Sequence, residues 1–499
     1  MRFSKKSSLQ KNPGNNEKVL TNDLKENIEK IKEYLCRTED LMLKEININN
    51  RKSAFLYLES LVKKELILSF IIEPMLEENK GEIENVIKAT EEKNTSQVST
   101  LGNSLLDGFC LILKENCSDG ILVATADSQG RSITEPVNEQ NIKGARDGFV
   151  ESLSANIQLI RKRVKTPQLK IKYFNVGNIT NTKVGMVYID SLANRKLVEE
   201  VEKRITCIQL DQLQSSGSLD ELIEDNPFTP FPQILNTERP DRAASYLAEG
   251  KINLIVDGSP IVSVVPITFF SLYQASDDYN SRWLIGSFFR IIRIISFIIT
   301  ISLPAIYIAI VSFHSEVLPI GILYSIRVSL EFVPFPPLIE ALAMQIILEL
   351  LKEAAIRLPS PIAQTIGIVG GLVIGTAVVE AHLVSNTMIV VIGFTAIASF
   401  VAPINEMGTS ARLLGFPTML AASVLGFFGI VLTLMFIFMH LSKLESFGTP
   451  YFSPLAPFKR EDLKDTFIRL PVWKFNTRPT NASPRKSVQQ GFSRVWKKK

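Results

Sequence analysis

Carboxylates beside apolar sequence are the residues of this chain whose type and position point to chemistry. Glu380 lies near the end of an apolar run that begins at Ile362. A charge at the centre of a bilayer costs roughly 2.5–3.5 kcal/mol on insertion scales, so Glu380 should face either the membrane surface or a water-filled cavity. Glu340, Glu349 and Glu353 precede that run. They fit a solvated helix face, or a ring of negative charge that attracts cations to the mouth of a pore.

Signals for an enzyme or a metal centre are weak. The sequence contains no GxxxxGK[ST] phosphate loop, no HExxH and no GxSxG. Its three histidines, His314, His382 and His440, lie near the ends of apolar runs, where interfacial solvation explains them better than a metal site does. No cluster of Cys or His supports a cofactor. We therefore expect a protein that is not an enzyme, with no catalytic residue, no cofactor and no bound metal.

The stretch that must position these carboxylates is the run from Ile362 to Ala381, which is long enough for most of a bilayer crossing. Glycine is a poor helix former in water, but in lipid small residues let neighbouring helices touch backbone to backbone. The run is therefore either a tightly packed bundle helix with no further role, or a helix that lines a path and moves. In the second interpretation the pore-lining or gating candidates are Gly367, Gly371, Ile374, Gly375, Val378 and Glu380.

Further apolar runs surround this stretch. We predict additional spans at Ile294–Phe313, Asn386–Ala402 and Phe416–Leu441. Between the first span and the glycine-rich run, prolines interrupt the sequence, so residues 317–358 should form a re-entrant or interfacial element. Within it, residues 338–358 follow the pattern of an amphipathic helix, on which Glu349 can pair with Lys352 and Glu353 with Arg357.

Positive charge predicts the orientation of these spans. Arg290 and Arg293 precede the first span, and the tail after Leu441 is rich in Lys and Arg. Basic residues flanking apolar spans favour the cytoplasmic side and contact with anionic lipid. We expect both termini on the cytoplasmic side, with four crossings between them.

Bulk properties separate the chain into two halves. The mean hydropathy of +0.15 mixes a charged half up to about residue 280 with an apolar half. A net charge of +4 is too small to argue for nucleic acid. All four cysteines lie in the first half without CxxC or zinc spacing, and are expected to be reduced thiols. The first residues include no apolar stretch typical of a signal peptide, so this half should stay in the cytoplasm.

The first half alternates predicted helices and strands, which indicates α/β or α+β subdomains. Strands are predicted at Leu41–Ile48 and Ser53–Leu58, and a hairpin turns at Asp257-Gly258. Apolar residues at helical spacing predict a helix over residues 142–164, whose basic end at residues 161–163 suits a solvated, dipole-matched terminus. The fold class is thus multidomain, with a cytoplasmic α/β region of two subdomains followed by an α-helical transmembrane bundle. The expected divisions are a disordered tail at 1–21, subdomains at 22–95 and 96–281, a transmembrane domain at 282–441 and a basic cytoplasmic tail at 442–499.

Several short motifs occur in a fixed order along the chain. They are Glu135-Pro136, Gly144-Ala-Arg-Asp-Gly-Phe-Val-Glu-Ser-Leu, residues 156–163, Pro230-Phe-Pro-Gln-Ile, Thr237-Glu-Arg-Pro-Asp241, Val256-Asp-Gly-Ser-Pro260, Val333-Pro-Phe-Pro, residues 349–359 and residues 367–375. Together they resemble the A subunits of GerA-type spore germinant receptors, and the resemblance runs from about residue 40 to residue 450. Some positions depart from the familiar pattern. Gly-Ala-Arg-Asp-Gly-Phe replaces Gly-Pro-Arg-Glu-Gly-Phe, and residues 277–280 read Asp-Asp-Tyr-Asn in place of Glu-Asp-Tyr-Tyr. Gln345 stands where an acidic residue is common, which would weaken any acidic ring.

The resemblance implies a place in the inner membrane of a bacterial spore, multi-pass, with both termini on the core side. It also implies a transporter-like B subunit that senses the nutrient, a lipoprotein C subunit, and self-association into a ring-shaped channel that releases monovalent cations. Two alternatives remain: a SpoVAF-type accessory germination protein, and a secondary transporter with Glu380 as a coupling carboxylate. Transporters commonly repeat their hydropathy pattern in two halves, which four spans with a single glycine-rich run do not do.

Overall fold

The computed structural model describes residues 19–48, 51–69, 92–126, 135–136, 138–141, 143–359, 362, 371, 375–491, 493–494 and 496. Most of the predicted glycine-rich span therefore lies outside the described residues. The described part begins within the tail predicted at residues 1–21, and Leu20 is already buried in the first core.

The first subdomain is a five-stranded antiparallel sheet in the order β1-β2-β4-β5-β3. Its strands are β1 (Leu41–Ile48), β2 (Arg51–Leu58), β3 (Glu92–Thr95), β4 (Phe109–Lys114) and β5 (Gly120–Ala124), and its helices are α1 (Leu24–Tyr34), α2 (Lys64–Ile67) and α3 (Val98–Leu106). Successive side chains of a strand point to opposite faces. Accordingly Leu56 packs under α1 and α3, while Phe55 and Tyr57 belong to a second cluster.

The boundary between the subdomains differs from the one predicted at residue 95. Strand β4 pairs with β2, placing Leu111 opposite Leu56, so the first sheet extends to Ala124. Sequence periodicity identifies each strand, but it does not tell which sheet the strand joins.

The second subdomain is another five-stranded antiparallel sheet, in the order β6-β7-β9-β10-β8. The strands are β6 (Leu169–Val176), β7 (Thr182–Ile189), β8 (Leu235–Thr237), β9 (Ile252–Val256) and β10 (Val262–Val265), with helices α4 (Leu153–Arg163), α5 (Arg195–Thr206), α6 (Ser216–Ile223) and α7 (Pro240–Ala248). Every residue of β9 is buried, because helices cover both faces of the sheet. The predicted hairpin is present, and Gly258 takes the positive φ of +87° that its turn requires.

Helix α4 begins at Leu153, about ten residues later than predicted. The Leu153 amide donates to Asp257 Oδ1 at 3.0 Å, which caps the helix from the hairpin. Just upstream, the backbone amide of Val150 donates to Asn156 Oδ1 at 2.8 Å, and Asn156 Nδ2 donates to the Val150 carbonyl at 2.5 Å. These tertiary contacts keep residues 145–150 out of the helix despite their apolar spacing.

The second half of the chain is helical. A short helix α8 (Ser276–Asn280) leads into α9 (Trp283–Ser312), α10 (Ile320–Leu330), α11 (Pro337–Arg357), a helical stretch at residues 375–380, α12 (Asn386–Phe400), α13 (Asn405–Leu425) and α14 (Phe427–Lys443). By length and composition, α9 is the one described helix able to cross a membrane, and α10, α12 and α14 are shorter apolar helices. The span predicted at Phe416–Leu441 is divided at Gly426, whose φ of +57° ends α13 and starts α14 at a new angle.

After α14 the chain returns to the second subdomain. A small hairpin of β11 (Glu445–Ser446) and β12 (Thr449–Pro450) places Tyr451 and Phe452 in an aromatic core shared by this subdomain and the helices. At its centre the Phe269 ring lies 5.2 Å from the Phe297 ring of α9 and 5.6 Å from that of Phe452, measured between centroids. Basic residues of the tail also bind the subdomain: Arg478 Nε donates to the Ala248 carbonyl at 2.8 Å. These contacts to protein differ from the role toward anionic lipid that composition suggested.

Candidate functional site

The glycine-rich run is the first predicted site. Gly367 and Ile374 lie outside the described residues. Among the described residues, no atom lies within 4 Å of a Cβ added at Gly371 or Gly375, so neither glycine packs closely against the described part of the chain. Val378, half-buried, packs against the helical core, and Glu380 is exposed.

Glu340 is the most buried of the predicted carboxylates. Only 1% of the residue is exposed, and its Oε2 accepts the Ser385 amide at 2.9 Å. Ser385 is the N-cap residue of α12, and the dipole of a helix favours a negative charge at this end. Its Oε1 has no partner among the described residues. Glu340 therefore ties the start of α11 to the start of α12.

Glu349 forms an ion pair with a helix distant in sequence. Arg412 of α13 is 2% exposed, and its Nε donates to Glu349 Oε1 at 2.5 Å. The same guanidinium donates to Ser399 Oγ at 3.1 Å and Thr409 Oγ1 at 3.0 Å. Glu349 thus pairs with Arg412, although the sequence suggested Lys352. The Lys352 ammonium instead lies 5.0 Å from the centroid of the Phe400 ring.

Glu353 is the exposed member of the set. It pairs with Arg357 one turn along α11 at 2.6 Å, as the spacing predicts. The three carboxylates of α11 therefore have three different surroundings in one chain: a helix start, a buried arginine and a surface pair. The structure does not bring them together within a single copy.

A buried ionic cluster lies at the start of α9, and the sequence patterns did not predict it. Asp278 is 2% exposed and accepts from Arg290 at 3.3 Å and from Arg293 at 2.7 Å. Arg290 Nη1 also donates to Asp465 Oδ1 of the tail at 2.6 Å. These two arginines, which indicated only the orientation of the first predicted span, join α8, α9 and the tail. The signal available beforehand was the Asp-Asp-Tyr-Asn motif.

The other motifs meet at the segment around residue 139. Thr237 Oγ1 donates to Glu139 Oε2 at 2.5 Å, and the amide of Glu238 donates to the same oxygen at 3.0 Å. Arg239, 2% exposed, pairs with Asp241 at 2.8 Å and donates to the Glu139 carbonyl at 3.1 Å. The Thr-Glu-Arg-Pro-Asp motif therefore fixes the segment that precedes α4.

Arg161 corrects the prediction of a solvated end for α4. It is 2% exposed and donates to both carboxylate oxygens of Asp40, each at 2.8 Å. Thr38 and Ser60 also bind that carboxylate, at 2.6 and 3.1 Å. Because Asp40 belongs to the first subdomain, this pair joins the two subdomains.

Comparison with known proteins agrees with this reading of the motifs. The profile of the Bacillus/Clostridium GerA spore germination protein family matches residues 29–481. The chain is 39% identical to the uncharacterized membrane protein YfkQ of Bacillus subtilis, covering 96% of this chain and 95% of that protein. It is 37% identical to spore germination protein KA of Bacillus subtilis, over 95% and 89% of the two chains.

A solved structure is also similar. It is the N-terminal domain of the A subunit of the Bacillus megaterium spore germinant receptor GerK3, with 27% identity, 51% of this chain and 99% of that chain covered, and a TM-score of 0.40. Since the family profile spans most of the chain and the relatives match along nearly their whole length, this protein belongs to the GerA spore germination family.

Proposed function

We propose that this protein is the A-type membrane subunit of a nutrient germinant receptor, and that copies of it form a ring-shaped channel through which monovalent cations leave the spore. Relatives that match along most of the chain are named spore germination proteins, which supports the biological process. The proposed partners are a nutrient-sensing B subunit and a lipoprotein C subunit in the inner spore membrane.

The observation that carries the channel proposal is the open space at Gly371 and Gly375. Small residues in lipid favour close helix packing, yet nothing in the described chain approaches these two. By contrast, a Cβ at Gly408 would lie 2.6 Å from the Ser399 carbonyl oxygen, as expected of a glycine that packs within one chain. The partner of the glycine-rich stretch is therefore proposed to be the same stretch in sister subunits.

Uncovered apolar stripes support assembly in a membrane. On α12, Val390, Phe394 and Ile397 follow helical spacing and are 56–64% exposed. Val431 and Met435 form a similar stripe on α14. A contiguous apolar surface of this kind marks contact with lipid or with another protein.

The experiment is reconstitution of the purified full chain into planar bilayers, with and without a B-type partner. Under a gradient of potassium chloride we expect currents whose reversal potential lies near the equilibrium potential of potassium. These currents should depend on the nutrient only when the B-type partner is present. Absence of current from a folded, oligomeric sample under both conditions would overturn the channel proposal. An anion-selective current would overturn the assignment of the permeant ion.

A further inference from the structure

A groove of about 650 Å³ lies at the first turn of α9, between that helix and the tail. Trp283, Leu284 and Ile285 of α9 form one wall, and residues 471–473 of the tail form the other. None of its described lining residues belongs to α11 or to the glycine-rich stretch. The groove is therefore a feature that the predicted site residues do not account for.

The tail wall of the groove is fastened to the helix. Ser287 Oγ of α9 donates to the Arg469 carbonyl at 3.1 Å. In return, Arg469 Nη1 donates to the carbonyls of Asp278 and Ser281, at 2.8 and 3.1 Å. These bonds hold the two walls at a fixed separation, so the groove is built into the fold.

The groove is positively charged. Arg282 and Arg469 line it, and no Asp or Glu is among the described residues that do so. Arg469 is 2% exposed, and in the described chain its guanidinium bonds to backbone carbonyls and to no carboxylate. At the rim, the guanidinium of Arg494 lies 4.3 Å from the centroid of the Trp473 ring. A buried charge normally has a counter-charge, so Arg469 indicates a missing anion.

The carboxylates of this region already have partners. Asp278 pairs with Arg290 and Arg293, and Asp465 pairs with Arg290. Because these pairs use the available carboxylates, the groove keeps a net positive charge, which an anionic ligand would neutralise.

An apolar stripe at helical spacing runs from the groove along α9, and its members are 40–63% exposed. They are Leu284, Phe288, Ile291, Ile295 and Ile298. Since α9 is the described helix long and apolar enough to cross a membrane, the stripe would meet hydrocarbon directly below the groove. Trp283 and Trp473 on the two walls suit a position at the membrane–water interface, where tryptophan is enriched.

Together these features select one kind of occupant. Arginine binds phosphate through charge-assisted hydrogen bonds, and clustered arginines at a membrane surface favour lipids of net negative charge. A free anion would leave the apolar walls and the stripe unused, and an apolar helix of another protein would leave the arginines unused. We propose that this groove binds an anionic phospholipid, with its phosphate at Arg282, above the buried charge of Arg469, and an acyl chain along the stripe of α9.

This proposal rests on the insertion of α9 in a membrane, which the proposed function also needs, and it is independent of the channel. A lipid in the groove would contact both walls. It would therefore hold the tail against the start of α9.

The test is quenching of tryptophan fluorescence in nanodiscs that contain the purified full chain. Two of its three tryptophans line the groove, and the third, Trp496, is exposed, so a Trp496→Phe chain reports on the groove alone. The nanodiscs consist of phosphatidylcholine with a minor fraction of brominated lipid, either phosphatidylglycerol or phosphatidylcholine. We expect brominated phosphatidylglycerol to quench at least about twice as strongly as the same fraction of brominated phosphatidylcholine, because the positive groove enriches the anionic lipid.

Three variants locate the effect. Arg282→Gln should remove most of the difference between the two brominated lipids, whereas Arg282→Lys retains the charge and should keep most of it. Because Arg282 is exposed, both chains should fold. Arg195→Gln removes the same charge from an exposed position at the start of α5, outside the groove, and should leave the difference unchanged.

Four results would count against the proposal. Equal quenching by the two lipids would reject an anionic site while leaving α9 in the membrane, and quenching by neither would reject the insertion of α9 as well. A difference that persists in Arg282→Gln would place the lipid elsewhere. Relief of the quenching by inorganic phosphate at constant ionic strength would identify a site for a free anion. No current is measured, so failure of the channel proposal is a separate result.

Discussion

Arg412 crosses from α13 to Glu349 of α11, with 2.5 Å between its Nε and the Glu349 Oε1. The two members of the pair are unequally placed, since Arg412 is 2% exposed and the Glu349 side chain 34%. One partner is therefore an enclosed cation and the other a carboxylate that can reach solvent.

Glu349→Gln should destabilise the protein more than Arg412→Gln does. The first change leaves a buried guanidinium without its counter-charge, which costs about 1–3 kcal/mol, whereas the second leaves a carboxylate that can be solvated. Thermal unfolding in detergent measures both, and the double variant should recover part of the loss. Equal effects of the two single changes would show that the pair is not arranged as described.

Charge reversal at Glu353 should change cation selectivity. Its carboxylate is exposed and faces only a surface partner, so it is a better candidate than Glu349 to act on passing ions. In reconstituted bilayers, Glu353→Lys is expected to move the reversal potential toward that of the anion. Asp119→Lys changes the net charge equally in the first subdomain and should leave the potential unchanged. An unshifted potential in Glu353→Lys would remove this residue from the pore.

Leucine at Gly371 or Gly375 should alter ion release without preventing expression. The described residues of one chain leave room for the larger side chain, so monomer folding should tolerate it, while close contact between copies should not. Potassium release from spores is the measurement. Gly321→Leu is a matched control, because a Cβ at Gly321 would likewise have no described atom within 4 Å. Normal release in both glycine variants would contradict the packing role.

Asp40→Asn should strongly destabilise the two N-terminal subdomains. It leaves Arg161 buried with a weakened partner, and breaking a fully buried ion pair costs about 3–5 kcal/mol. Asp107→Asn breaks an exposed pair with Lys165 and should cost less than about 1 kcal/mol. Urea unfolding of the full chain, followed by tyrosine and tryptophan fluorescence, compares the two. Similar losses would argue against a structural role for the Asp40–Arg161 pair.

The free energy of unfolding should fall as pH rises from about 4 to about 7, and the carboxyl of Asp220 should account for part of this fall. Burial raises the pKa of this carboxyl to about 7, so between these pH values the folded state holds a proton that the unfolded state has lost. Its contribution is then largest below the unfolded pKa and is lost as pH rises through the folded pKa. The difference in melting temperature between wild type and Asp220→Asn should change across this window and be flat above it. A constant difference would mean that Asp220 does not titrate there.

Features set by neighbouring residues were predicted well from sequence. Strand β1, the Asp257-Gly258 hairpin and the pair of Glu353 with Arg357 all follow from local spacing. In each case the residues that decide the structure lie within a few positions of one another.

Features set by distant residues were not predicted. The start of α4 depends on Asp257, which is 104 positions from Leu153. The burial of Arg161 depends on Asp40, 121 positions away, and the state of Glu349 depends on Arg412, 63 positions away. A pattern along the chain gives no information about such partners, so solvated surfaces were assigned to side chains that are buried or paired.

The placement of Tyr451 and Phe452 has a consequence for biosynthesis. The aromatic core around Phe269 and Phe297 is complete only when these two rings arrive from beyond α14. During translation the two N-terminal subdomains are made first, and their aromatic faces stay uncovered until helices α9 to α14 have emerged from the ribosome. A chain truncated after α8 would keep that patch exposed permanently, and should therefore aggregate or recruit a chaperone where the complete chain does not.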